Sequence, residues 1–193
     1  FPKKTFSFPH IYDTIKQKEV DMANKIIIFS GKQYSGKDTA AKIMLAEMPD
    51  YKRCAMGDII KLTYGQKHSL TYEEIEENKS QYRAGLIELG NWGREQDQDY
   101  WLKKILEQDG NIIVTDVRVP HEYEIFKNAG AISIRIEATQ QTRAERGKLV
   151  GENDITETGL DDIKDWDYLV TNDSNYENLK TQIEKIISNL KNS

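Results

Sequence analysis

One stretch, Gly31-Lys32-Gln33-Tyr34-Ser35-Gly36-Lys37-Asp38, constrains the fold of this chain more than any other. It fits G-x-x-x-x-G-K and lies between an apolar, β-branched run at 25–29 and a segment of helical spacing at 38–48. The pattern is therefore a strand, a glycine turn and a helix. Glycines in such a turn let backbone N–H groups face inward around anionic oxygens, the helix N-terminus adds its positive end, and Lys37 supplies a point charge. The reading is a phosphate-binding loop whose ligand-facing residues are Gly31, Lys32, Ser35, Gly36, Lys37, Asp38 and Thr39. A lysine in a glycine turn with no nucleotide to hold is the plainer alternative, and the flanking strand and helix argue against it. Asp38 departs from the usual Ser or Thr, whose hydroxyl binds magnesium. Its carboxylate has three roles open to it: contact with the ion, contact with one of the ion's waters, or capping of the helix. Metal or metal-water contact is preferred, and Thr39 is then placed to donate a hydroxyl to a phosphate.

The rest of the chain alternates in the same way. A short strand at 51–56 precedes a long, mostly helical and charged stretch at 58–108, of which 71–81 is expected to be exposed. Strands follow at 111–115, 131–137 and 168–171, with helices at 120–128 and 176–190. Strands that are apolar throughout and separated by helices indicate a parallel sheet covered on both faces. The 193 residues, 38% hydrophobic and 31% charged, suit one α/β domain with a real core. Residues 1–21 read as an accessory extension, with Met22 the expected start of a single domain at 22–193.

The formal net charge of −5 argues against binding of nucleic-acid polymers, while a local basic pocket for a phosphate is compatible with it. Cys54 is the one cysteine and cannot form an internal disulfide. It shows no metal-ligand spacing with His10, His68 and His121, so no structural zinc is expected. No apolar run approaches the roughly 20 residues needed to cross a membrane. The N-terminal stretch also lacks the apolar segment of a secretion signal, so the expected location is cytoplasmic.

Three further groups carry candidate chemistry. The run 111–115 ends in Asp116, placed as an acid that approaches magnesium at the carboxyl edge of a sheet, and Arg118 could reach the same edge. A turn residue or helix cap, and a surface ion pair, are their ordinary roles. Lys79-Ser80-Gln81-Tyr82-Arg83, followed by Gly90 and Arg94, offers flat guanidinium forks suited to an acceptor phosphate, or else a charged helix face with Tyr100 and Trp101 in the core. Arg143 and Arg146, in a polar segment after the strand at 131–137, could close over a transferring phosphoryl group and exclude water, or belong to a solvated loop.

Phe29-Ser30-Gly31 through Asp38, Gly57-Asp58-Ile59-Ile60-Lys61, Arg83 with Leu86-Ile87-Glu88-Leu89-Gly90, Tyr100-Trp101, Thr115-Asp116-Val117-Arg118, Thr158-Gly159-Leu160 and Thr171-Asn172-Asp173 form an ordered series. The series resembles the bacteriophage deoxynucleoside monophosphate kinases and the animal-type phosphomevalonate kinases. The resemblance implies a P-loop NTPase fold of the nucleoside monophosphate kinase type, three layers α/β/α with a parallel sheet and a lid at about 139–158. It implies ATP and Mg2+ at Lys37 and Asp38, Asp116 and Arg118 at the reacting edge, and Lys61, Lys79, Arg83 and Arg94 on the acceptor side. Arg143 and Arg146 would be lid arginines, and Asn172 would lie in the loop near adenine. Asp116-Val117-Arg118 followed by His121-Glu122, and Tyr100-Trp101, look more like the phage enzymes, and Arg83-to-Arg94 spacing with Arg146-Gly147 more like phosphomevalonate kinase; the sequence favours the nucleotide as acceptor.

The expectation is in-line transfer of the γ-phosphoryl of MgATP to a phosphate oxygen of a small-molecule acceptor. Positioning and charge neutralisation would carry the rate, with no strong base required. An ATP-binding regulatory switch without an acceptor is the alternative from another class.

Overall fold

Five short runs rich in isoleucine and valine form strands: β1 (Ile26–Ser30), β2 (Tyr51–Cys54), β3 (Asn111–Val114), β4 (Ile132–Glu137) and β5 (Tyr168–Thr171). The structure, a computed structural model, describes residues 24–192; the extension at 1–21 and Met22 lie outside the described residues. Neighbouring strands pair in parallel in the order β2-β3-β1-β4-β5. The helices are α1 (Lys37–Glu47), α2 (Met56–His68), α3 (Tyr72–Glu77), α4 (Lys79–Gln96), α5 (Tyr100–Leu106), α6 (Pro120–Asn128), α7 (Gln140–Arg146), α8 (Ile155–Thr158) and α9 (Tyr176–Lys191). Among the described residues no helix is long and apolar enough to cross a membrane.

Alternation along β1 divides the interior into two cores. Ile27 and Phe29 face one side with Ile43 and Met44 of α1 and Leu179, Ile183, Ile186 and Ile187 of α9. Those four residues of α9 recur at helical spacing, which is why this segment is a helix that lies on the sheet. Ile26 and Ile28 face the other side with Ile59 of α2, Trp101 and Ile105 of α5, and Tyr123 and Phe126 of α6. Each fully buried isoleucine contributes roughly 2 kcal/mol of burial free energy, so the doubly covered β1 anchors both layers.

The stretch expected to be one long helical region is divided among α2, α3, α4 and α5. The strand expected at 51–56 ends at Cys54 because Met56 opens α2. The segment 71–81 is mostly exposed, with Ile75 fully buried as its anchor. Helix α4 buries only Gly90 and Gly93, and there the Trp101 indole donates from Nε1 to the Gly90 carbonyl at 2.9 Å. A Cβ at Gly93 would fall 2.5 Å from that nitrogen, so α4 approaches α5 through glycine.

The chain leaves β1 for the far edge at β2, returns to β3, and later adds β4 on the other side of β1. That reversal opens a crevice at the carboxyl ends of β1 and β3. Ile28 pairs with Val114, so the glycine turn after β1 and Asp116 after β3 reach the same edge.

Candidate active site

The turn from β1 to α1 adopts the conformation its sequence demands. Gly31 has φ 156° and Gly36 φ 98°, both unfavourable for a side chain, and Tyr34 is left-handed at φ 58°. A Cβ at Gly31 would stand 2.5 Å from both the Ile136 carbonyl oxygen and Ser35 Oγ. Gly36 caps α1 without a side chain, which leaves the N–H groups of its first turn for an anion. Lys37 is largely enclosed, with Nζ 3.3 Å from a carboxylate oxygen of Asp38. Asp38 itself is exposed, as is Thr39.

At the adjoining edge, Asp116 keeps one side open to solvent, yet protein crowds its carboxyl closely enough that burial raises its pKa. Backbone N–H groups of Met56 and Gly57 pull the other way, the latter at 3.4 Å. Arg118, two residues on, is fixed at its backbone by Glu122, whose Oε2 accepts from Arg118 N at 2.8 Å and Val119 N at 3.2 Å. Burial also raises the pKa of Glu122.

The segment expected to be a lid contains two short helices and lies against the phosphate loop. Thr139 caps α7 by accepting from Thr142 N, and Asp154 caps α8 by accepting from Thr156 N. Arg143 is buried, donates to Glu152 at 2.8 Å and reaches the Gln33 carbonyl at 3.5 Å. A solvated loop is therefore not the setting of Arg143. Arg146 donates to the carbonyls of Tyr34 at 3.3 Å, Ser35 at 3.4 Å and Asn172 at 2.8 Å. Gly147 leaves room for the Tyr34 ring, which a Cβ would overlap.

Two carboxylates that the sequence reading did not select complete this junction. Glu157 accepts from Gln33 N at 2.8 Å and from Arg118 Nη1 at 2.9 Å. Asp161 accepts from Lys32 Nζ at 2.6 Å and from Arg135 Nη2 at 3.0 Å. Arg135, buried within β4, also donates to Ser30 Oγ at 3.1 Å and lies over the Trp166 ring. Glu157 and Asp161 flank the quoted Thr158-Gly159-Leu160, which was the only sequence signal near them. Lys32 is thus committed to Asp161, and Asn172 donates its amide to the Ser35 carbonyl at 2.8 Å. Any influence of Asn172 on a nucleotide runs through the loop it holds.

Two clefts open along this edge. One, of about 850 Å³, is lined by Lys32 and Ser35 of the loop, Arg135 and Glu137 of β4, and Arg143. Ser35 Oγ and Arg143 Nε are buried without a hydrogen-bond partner among the described residues, which marks them as groups that a ligand or solvent must satisfy. The other, of about 280 Å³, is lined by Lys61, Lys79, Arg83 and Arg94 among Gly57, Ile60, Leu86, Ile87, Gly90 and Asn91. Lys61 is paired with Asp58 and Glu76, and lies 3.5 Å from the Tyr72 hydroxyl. Arg83 and Arg94 have no carboxylate partner among the described residues, and Arg94 bonds only Asn91, at 3.3 Å. Among the described residues no three His, Cys, Asp or Glu side chains group as a metal cluster.

A glycine turn on a parallel sheet, an enclosed lysine at its helix and arginines closing over it define a P-loop small-molecule kinase of the nucleoside monophosphate kinase-like type. The model of the family described as phosphomevalonate kinase matches residues 29–131, and that of deoxynucleotide monophosphate kinase matches residues 91–183. The first spans more than half of the chain, and the chain belongs to the phosphomevalonate kinase family. Among solved structures, the fold is like that of TT1252 from Thermus thermophilus, 13% identical with a TM-score of 0.53, over 88% of this chain and 99% of that one. It is also like shikimate kinase from Bacteroides thetaiotaomicron, 12% identical with a TM-score of 0.50, over 86% and 98%.

Proposed function

We propose that the protein transfers the γ-phosphoryl group of ATP to the phosphate of a small aliphatic acceptor of the phosphomevalonate kind, giving a diphosphate and ADP. The observation that carries this reading is the pair Arg83 and Arg94 in the smaller cleft. Both are free of carboxylates among the described residues, and they stand three turns apart on one face of α4, on the order of 16 Å along the axis. A phosphate at one end and a second anion at the other would satisfy both forks. The wall between them is Leu86, Ile87 and Ile60, and among the described residues no aromatic ring lines it to stack a base. Asn91 is the one uncharged hydrogen-bonding side chain there. A phosphorylated hydroxy acid has that shape and charge, and family membership supports it.

In this reading the backbone N–H groups of the phosphate loop and α1 hold the nucleotide phosphates, and Lys37 balances their charge. An oxygen of the acceptor phosphate bonds to the γ-phosphorus as the β–γ bridging bond breaks, and the bridging oxygen leaves with ADP. The acceptor oxygen is already anionic, so no residue must remove a proton from it. Arg118, Arg143 and Arg146 surround the transferring group and exclude water. Asp38, solvent-facing beside Lys37, and Asp116, with an open side at the same edge, are the carboxylates suited to magnesium. With no all-protein cluster there, phosphates and water would complete its shell, as this ion prefers. Magnesium, when bound, offsets phosphate charge.

A deoxynucleoside monophosphate is the second reading, favoured by the match over 91–183 and by the sequence around Asp116. ADP formation with MgATP against phosphomevalonate and a panel of deoxynucleoside monophosphates separates the two. Stimulation by phosphomevalonate alone is expected, and Arg94→Ala should then raise the acceptor KM without raising that for ATP. Stimulation by nucleotides alone would move the assignment to the second reading. Slow hydrolysis indifferent to every acceptor would indicate an ATP-dependent switch.

A further inference from the structure

Glu157 is 7% exposed, carries a charge, and has no role in the transfer described above. A buried carboxylate is costly to keep unless it is paired and hydrogen-bonded. Both of its oxygens are engaged, and they engage different parts of the site. Oε2 accepts from the backbone N–H of Gln33 inside the phosphate loop, and Oε1 accepts from Arg118 Nη1 at the end of β3. Arg118 is also held from behind, by Glu122 at its backbone nitrogen. Its Nη1 reaches the Thr156 carbonyl at 3.4 Å, while Nε and Nη2 have no protein partner among the described residues. The guanidinium is therefore tethered through one nitrogen, and its remaining donors are left without a protein partner among the described residues. Gly159, two residues after Glu157, packs its backbone against the Arg118 carbonyl so closely that a Cβ would come within 3.1 Å.

We propose that Glu157 is a positioning residue for phosphoryl transfer, anchoring Arg118 to the phosphate loop at Gln33 so that the remaining guanidinium donors face the transferring group. The proposal rests on the kinase reading. Its physical content is that one rigid carboxylate, bonded to the loop through one oxygen and to Arg118 through the other, sets where the guanidinium stands relative to the phosphate loop. Preorganised donors need not reorganise as charge develops, and their effect appears in the rate of transfer more than in ground-state binding. Glu157 lies beneath the site and touches no substrate.

The test compares full-length wild type with Glu157→Gln, Glu157→Asp, Arg118→Ala and the Glu157→Gln/Arg118→Ala pair. Readouts are kcat, KM for ATP and for the acceptor, acceptor-independent ATP hydrolysis, ATP affinity by calorimetry, and Tm. The glutamine keeps an oxygen for Gln33 N and loses the charge that tethers Arg118. Glu157→Gln is expected to lower kcat about tenfold or more, as for a lost charged hydrogen bond. ATP affinity should stay within about threefold, since the loss falls on the transition state. Glu157→Asp should recover part of kcat, and the pair should be no slower than Arg118→Ala alone. Wild-type kcat in Glu157→Gln, or additive losses in the pair, would overturn the proposal. So would tighter ATP binding by Glu157→Gln, which would make Glu157 a placeholder for a phosphate. If wild type binds ATP but turns over no acceptor, the kinase reading fails by itself; hydrolysis unchanged by Glu157→Gln would then refute the positioning role as well. Should the glutamine variant fail to fold, Glu157→Asp against Arg118→Ala supplies the same coupling.

Discussion

The side-chain amide of Asn172 donates to the carbonyl of Ser35 at 2.8 Å, tying the end of β5 to the phosphate loop beside Gly36. A Cβ on Gly36 would collide with that amide nitrogen, and φ 98° already disfavours any side chain there. Gly36→Ala should therefore distort the loop, lowering ATP affinity strongly and Tm by several degrees. Asn172→Ala should weaken ATP binding less, because Arg146 still holds the neighbouring carbonyls. Calorimetric ATP titration of the two variants measures the difference; equal affinities would refute this account of the loop.

Among the described residues Lys37 has no ion-pair partner other than the solvent-facing Asp38. Removing it should leave the fold intact, since a pair whose carboxylate faces solvent contributes little. Lys37→Met is expected to lose about 3 kcal/mol or more of transition-state stabilisation, read as a fall in kcat of at least two orders of magnitude. Tm should shift by no more than a few degrees. Near-full activity in this variant would dislodge the phosphate loop from its role.

Burial raises the pKa of Asp116, and linkage gives the sign of its effect on stability. Below the ordinary aspartate value, both folded and unfolded chains hold the proton, and the residue has no pH-dependent effect. Between that value and its raised folded pKa, the unfolded chain releases its proton first, so stability falls as pH rises and stays lower above. Asp116→Asn keeps an oxygen for the Gly57 N–H and removes this penalty. The variant should melt higher than wild type at pH 7, with the gap closing towards pH 4, while losing activity. Thermal melts across that range check it; a variant less stable at neutral pH would show that the carboxylate is compensated there.

Burial between β2 and the site pushes the Cys54 thiol up to about 11, with Asp116 and Asp58 adding to the effect. The thiolate is the reactive form, so Cys54 should be inert at pH 7 despite its place near the reacting edge. Labelling by a maleimide should be slow in native protein and fast in denaturant. Rapid native labelling with loss of activity would contradict the buried setting.

The phosphate loop was legible because its requirements are local. Gly31 and Gly36 must reach backbone angles that a side chain resists, and Lys37 follows at a fixed spacing. The strands and α9 were legible for a similar reason, since the isoleucines of β1 and the periodic face of α9 report burial directly. Pairing of charges leaves no such mark. Glu157 reaches Gln33 and Arg118, and Asp161 reaches Lys32 and Arg135, across separations with no period or motif. Arg143 illustrates the same limit, because a polar, arginine-bearing segment reads alike whether it is solvated or, as here, buried on the loop.

By itself the sequence determined the strand, turn and helix of the phosphate loop, the parallel α/β class and the edge to which Asp116 belongs, because backbone angles and burial periodicity are properties of neighbouring residues. Only the tertiary structure decided which cations are committed and which are open. The order β2-β3-β1-β4-β5 brings Glu157 under Arg118 and Asp161 under Lys32, while α4 carries Arg83 and Arg94 into a cleft without carboxylate partners among the described residues. An ion pair is set by distance in space and by desolvation, and neither quantity exists until the chain has folded.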